Sequence, residues 1–273
     1  NKLESGETVE VESYNNLLLI NLNRENNSII EIDVAGLKKD LIWRHLITAY
    51  RKGTKQVVIK FGNKREIDTI HQLVKDLLGM VIVKQDKDRL IMKDMFSNDR
   101  GDVDDSLEKI FNLLIDLSKD SFEAVKENDK VSLENIRYQD FNINKFANLS
   151  IRLLNILGYK DRDKAYSIYK IISLLEEVGD EYRRLSLIYS RLGGKVSKKV
   201  LDCFESVNSL LESYYELYYK FDKKELTSFY DKADETLLKL KESYEIKGSF
   251  IIDVNDNKHL IFLSSLFKRT IPK

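Results

Sequence analysis

The amino-acid sequence predicts a mainly α-helical protein: two tandem three-helix bundles preceded by a small α/β region. Three observations carry that expectation. Up to about residue 95 the apolar residues come in short, alternating runs, and beyond about residue 105 they recur three and four apart. The chain holds a single proline, Pro272, and only 11 glycines, so little interrupts long helices. Between the two regimes lies a polar stretch, 97–105, rich in Ser, Asn, Asp and Gly, which reads as a linker.

The elements follow in order. Thr8 to Glu12 alternates strictly and Leu17 to Leu22 is apolar, so both read as strands joined by a turn at Asn15-Asn16. Ile29 to Ile32 reads as a third strand. Leu41, Trp43, Leu46, Ile47 and Tyr50 share a helical face that Gly53 ends. Gln56 to Lys60 is a strand, and Ile67, Ile70, Val74, Leu77 and Leu78 mark a helix closed by Gly79. Met80 to Val83 and Arg89 to Lys93 form two more strands around Asp86-Lys87-Asp88. Asp105 and Glu108 have the spacing of a capping box, placing a helix start there. Further helices are expected from about Ser132 to Leu157, Asp163 to Leu192, Val196 to Lys220 and Lys224 to Tyr244. An apolar stretch, Phe250 to Val254, and a sixth bundle helix from near Lys258 complete the expectation. Helices this long on connections this short must pack antiparallel. The domains are therefore read as 1–23, 24–100, 103–194 and 195–273.

Composition excludes several classes. Lys plus Arg and Asp plus Glu both number 45, so no net field draws the chain to nucleic acid or an anionic surface. A lone Cys203 in an apolar helical stripe cannot build a disulfide framework and reads as a small core residue in a reducing, cytoplasmic setting. No apolar run approaches the ~20 residues that span a bilayer. The chain opens on Asn1 and shows no signal peptide, which reads as a segment trimmed upstream.

Polar residues fall where a helix seam should be apolar. Leu133, Ile136, Asp140, Ile143, Ala147, Ile151 and Leu154 form one stripe, with Asn144 a turn beyond Asp140. On the next helix Ile172, Leu175, Gly179 and Tyr182 form the seam, and Glu176 and Asp180 flank it. A carboxylate on a buried stripe needs a compensating charge. Asp140, Asn144, Glu176 and Asp180 together make an oxygen-rich set suited to a hard or borderline cation. Pairing with Arg183 or Arg184, or an outward-facing position, is the plainer alternative.

Leu175-Glu176-Glu177-Val178-Gly179-Asp180 is similar to the L-E-R-I-G-D segment of PhoU-type phosphate-uptake regulators. Gln139 to Asn144 resembles the partner motif on the preceding helix, with Asn144 where that family usually has a second Asp. The resemblance implies two bundles in tandem and a metal (Fe, Zn, Mn or Mg) on Asp140, Asn144, Glu176 and Asp180. Leu77 to Val83 followed by Leu90 to Asp94 is similar to the segment before the bundle in archaeal members. Asn1 to Val11 looks like the second half of an AbrB-type swapped-hairpin domain. That likeness implies transcription regulation, dimerisation and DNA binding only from a chain extended upstream. An internal repeat is also implied. Asp231 and Glu235 follow Asp140 and Asn144 by 91 residues and form a weaker second pair. Lys268 and Pro272 stand where the other two acids would fall.

Enzymatic signatures are lacking. His45, His71 and His259 make no Glu-x-x-His set, Cys203 has no neighbouring base, and there is no phosphate-cradling glycine loop. The tyrosines from Tyr214 to Tyr219 read as helix packing. The expected protein is a non-enzymatic regulator of phosphate homeostasis, a homodimer in the cytoplasm. It would act on a phosphate transporter or sensor kinase, and so lie peripheral to the membrane through a partner. A metal-free helical scaffold is the alternative.

Overall fold

The computed structural model describes residues 9–14, 17–22, 29–95 and 101–245. The Asn15-Asn16 turn, Asn1 to Glu7, Phe250 to Val254 and the helix expected from Lys258 lie outside them. The protein is mainly helical, with a small sheet region ahead of the helices. Contacts divide it into two compact units, Asn1–Lys75 with Gly79–Asn98 and Asp76–Leu78 with Asp99–Lys273. Among the described residues no helix is long and apolar enough to cross a membrane.

In the first unit β1 (Val9–Tyr14) and β2 (Leu17–Leu22) form an antiparallel hairpin, Val9 opposite Leu22. A second sheet has the order β3-β4-β6-β5, from β3 (Ile29–Asp33), β4 (Gln56–Lys60), β5 (Met80–Gln85) and β6 (Arg89–Asp94). β3 and β4 are parallel because α1 (Lys39–Arg51) crosses between them; the other pairs are antiparallel. The opposed pairs Val57–Met92 and Ile59–Leu90 are fully buried, as alternation requires on a covered face. On the other face Glu31 and Lys60 form an exposed ion pair.

Helix α2 (Lys64–Val74) is shorter than its apolar spacing implied. Leu77 is buried but lies past the helix end, in the turn leading to Gly79 with φ of 85°. Its first turn carries a buried latch. The Glu66 carboxylate accepts from the amides of Gly62 and Gly36 and from Asn63 Nδ2, each at 2.7 Å, joining the loops after β4 and β3. Asn63 Oδ1 accepts from the Glu66 amide in return. The Gly62 amide above all, with those of Gly36 and Asn63, holds the Glu66 carboxyl below its ordinary range against the opposing effect of burial.

In the second unit α3 (Val103–Glu127) begins one turn earlier than the Asp105–Glu108 spacing implied. Asp102 is the N-cap, accepting from the Asp105 amide at 2.8 Å, so Asp105 lies inside the first turn. Asn128 ends α3 in the left-handed region at φ 55°, and Asp129 caps α4 (Lys130–Leu157) through the amides of Val131 and Ser132. Two successive caps leave no slack, so α3 and α4 run antiparallel. Gly158 ends α4, a short 3₁₀ turn (Arg162–Lys164) follows, and α5 (Ala165–Leu192) ends at Gly193. The Gly194 amide donates to Asn128 Oδ1 at 3.1 Å, tying the end of α5 back to the α3–α4 turn.

Helices α3, α4 and α5 pack mutually as a three-helix bundle. Next, α6 (Lys198–Tyr219), capped by Ser197, packs on α3, and α7 (Lys223–Glu245) packs on α6. All five share one apolar core, in which Phe204, Phe229 and the buried Cys203 adjoin the residues of α3–α5. Phe111 of α3 is the hinge of that continuity, with the rings of Tyr214, Tyr215, Tyr218 and Tyr219 of α6 at 5.4–6.0 Å. Tyr159 after α4 donates to Asp104 at 2.8 Å beside this cluster. Phe111→Ala is expected to lower unfolding stability by about 3–5 kcal/mol. A urea midpoint unchanged from wild type would show that α6 does not depend on this ring.

Candidate functional site

The α4–α5 contact places the expected acids. Asp140 occupies the α4 seam because 133, 136, 140, 143 and 147 recur on its covered side, and its side chain is 1% exposed. Gly179 faces it from α5. A methyl group there would lie 3.1 Å from Asp140 Oδ1 and 3.3 Å from Ile143 Cδ1. The glycine therefore lets α4 bring a carboxylate against the backbone of α5. Asn144, one turn on, donates from Nδ2 to Asp140 Oδ2 at 3.3 Å.

Arg183, one turn beyond Gly179, answers the buried charge. Its Nε donates to Asp140 Oδ2 at 2.8 Å and its Nη2 to Asp180 Oδ1 at 2.7 Å, so one guanidinium spans two carboxylates on two helices. Arg184 donates to Asp180 Oδ2 at 3.2 Å and also pairs with Glu181. The sequence reading offered metal ligation and arginine pairing as rival fates for these acids; the structure places the arginine there.

Pairing does not use up the oxygens. Asp140 Oδ1 and Asn144 Oδ1 are buried and have no hydrogen-bond partner. The Asp140 carboxyl is raised to about 6, by burial above all and by the charges of Asp180 and Glu176, against the downward pull of Arg183. Glu176 thus belongs to the same electrostatic cluster. The donor set is all oxygen and net negative, and the two unanswered buried oxygens are atoms a hard cation would engage. The spacing is another matter: among the described residues no three His, Cys, Asp or Glu side chains stand at joint metal-binding range. Asp140, Asn144, Glu176 and Asp180 therefore suit a cation by chemistry, while Arg183 stands between two of them.

The second acidic pair is not equivalent. Asp231 and Glu235 are exposed on α7, whose covered positions are Phe229, Ala233, Thr236 and Leu240. Glu235 is paired with Lys239 at 2.7 Å. The 91-residue spacing sets Asp231 against Asp140 and Glu235 against Asn144 but does not reproduce the face, because Ala233 takes the seam. In α7 these two acids line no buried cluster. Lys268 and Pro272 lie outside the described residues.

Other candidates are absorbed locally. His71 Nε2 bonds Gln85 Oε1 at 2.8 Å, and burial pushes the Cys203 thiol up, leaving it a core group. The Glu66 latch went unread in the sequence, though Asn63-x-x-Glu66 after Gly62 carried its signal. No family model, curated protein or solved structure matches the chain.

Two predictions test this geometry. The folded Asp140 carboxyl holds its proton more tightly than the unfolded one, so folding takes up a proton between about pH 4 and about 6. Wild-type stability should fall as pH rises through that window and level off above it. Asp140→Asn cannot titrate and should lose that component; urea midpoints with the same pH dependence in both proteins would contradict it. Gly179→Val forces a branched side chain against Asp140 and Ile143, and should cost about 2–3 kcal/mol. Thermal unfolding at the wild-type temperature would show instead that α4 and α5 can separate freely.

Proposed function

We propose that the chain is a non-enzymatic regulator of phosphate uptake, acting by contact with protein partners through its helical bundle. The observation that supports it is the meeting of two motifs. The residues similar to the PhoU segment, Glu176, Gly179 and Asp180, stand against Asp140 and Asn144, which resemble its partner motif. Two short, separate likenesses in sequence thus fall on facing helices at one contact, as they would if inherited together. The phosphate specificity rests on the likeness itself. The partner proposed is a phosphate transporter or its sensor kinase, with the protein in the cytoplasm and peripheral to the membrane through that partner. DNA binding would belong to an AbrB-like dimer formed by a chain extended upstream.

A second reading, a metal-free interaction scaffold, is favoured by one observation. Arg183 already neutralises part of the Asp140–Asp180 charge without a metal. Uptake separates the regulator from other functions. Deleting the gene in the source cell should raise phosphate uptake in phosphate-rich medium, and reintroducing it should restore the lower rate. Uptake identical in the deleted and intact cells would overturn the reading.

A further inference from the structure

The four-stranded sheet has one covered face and one open one. Ile32, Val57, Ile59, Leu90 and Met92 are buried on the side of α1 and α2, two helices that touch each other. The strand register sets what the opposite face presents. One row across the four strands reads Glu31, Val58, Ile91, Lys84, and the next reads Ile29, Gln56, Lys93, Val81. A face turned only to water carries polar residues at such positions. Here Val58 and Ile91 stand half-buried at the centre, and Ile29 and Val81 are 62% and 47% exposed.

Each row is complementary to its own reverse. A two-fold axis parallel to the strands lays Glu31 against Lys84 of the partner subunit and Val58 against Ile91 of the partner subunit. The second row lays Ile29 against Val81 of the partner subunit and Gln56 against Lys93 of the partner subunit. Every such contact is made twice. An axis across the strands would instead set Glu31 on the partner's Glu31 and Lys84 on the partner's Lys84, so charge selects the first arrangement. Within one chain Glu31 and Lys84 pair with exposed neighbours, Lys60 and Asp86, contacts that contribute little and are readily shared. The third row is a cost, because Lys60 meets Arg89 of the partner subunit. Each keeps an acid of its own chain beside it, Glu31 and Asp86 respectively, and both lie at the rim, where long side chains lean into water.

We propose that this open face is a two-fold interface between copies of the chain, packed sheet on sheet with the helices outward. Packed sheets lie ~10 Å apart with their strands within ~30° of each other. At that angle the Val58–Ile91 centre stays in register, and the long Glu31 and Lys84 side chains span the offset at the edges. Four strands at ~4.8 Å spacing and five residues at ~3.3 Å rise give a footprint about 19 Å by about 17 Å. That is below the ~800 Å² per partner of a standard interface, so association is weak and concentration-dependent. The contact uses the first unit alone, needs no exchanged hairpin and does not rest on the phosphate reading. A dimer carries two helical bundles, so weak binding of each to a partner is compounded.

The test is sedimentation velocity on the full chain from about 1 to about 300 µM, where wild type should pass from monomer to dimer with a midpoint of tens of micromolar. Glu31→Lys and Lys84→Glu each set like charges at both edges of the contact and should weaken it at least about 10-fold. An equimolar mixture of those two variants should associate again within about 3-fold of wild type, because each then faces the opposite charge. Val58→Lys should abolish association. Circular dichroism should match wild type for the two charge variants, whose sites are exposed. Wild type that stays monomeric at the highest concentration would overturn the proposal. So would charge variants that dimerise as wild type does, or a mixture that fails to reassociate when each variant alone is weakened. If Val58→Lys does not fold, the two charge variants and their mixture carry the test.

Discussion

The carboxylate of Asp140, buried in a helix seam, constrains more of this protein than any other single group. An ionised acid withdrawn from water costs several kcal/mol unless it is paired and bonded, and every neighbouring choice answers that cost. Gly179 gives the carboxylate room against the backbone of α5. Arg183 supplies a charge from the next turn, and Asn144 donates from the same helix. Asp180 then holds the other end of the guanidinium, with Arg184 behind it. The chain α4–Asp140–Arg183–Asp180–α5 fixes the relative register of the two helices, which apolar packing alone specifies loosely. Removing any member leaves another unpaired, so the group stands or falls together.

Around that contact the bundle is shaped by its turns. Asn128 and Asp129 close α3 and open α4 in successive residues, and the same Asn128 receives the Gly194 amide from the end of α5. One corner therefore holds three helices. At the opposite end the tyrosines of α6 surround Phe111, extending the α3–α5 core into α6 and α7 rather than starting a separate one. α3 serves both sets, with Leu107, Ile110, Phe111 and Leu114 all buried. α6 and α7 are thus joined to the α3–α5 bundle through a shared helix.

The acidic pairs on α4 and α7 show how face outweighs residue type. Asp140 and Asp231 both lead an acidic or amide group four residues on. One is sealed in a seam with a dedicated arginine, while the other is exposed near an ordinary surface ion pair. A screened surface pair contributes little and demands nothing of its neighbours. Only the buried acid can organise a site.

The sequence by itself determined the fold class, the order of the elements and the burial of Asp140, because hydrophobic period depends on residues near one another in the chain. The strands from Ile29 to Lys93 and the five long helices were legible for that reason. So was the α4–α5 seam with Gly179 in it. Helix ends were less so: α3 starts at the Asp102 cap rather than at Asp105–Glu108, because several nearby side chains compete to be the N-cap and packing chooses among them. Which partner Asp140 takes was decided only by tertiary structure. Arg183 and a cation are both consistent with the residues present, and the choice depends on where a guanidinium head 43 residues away in the chain comes to rest. The same holds for Glu66, whose latch to Gly36 joins two loops that no local pattern connects. Local periodicity sets which side chains are buried; distances between elements set what they meet there.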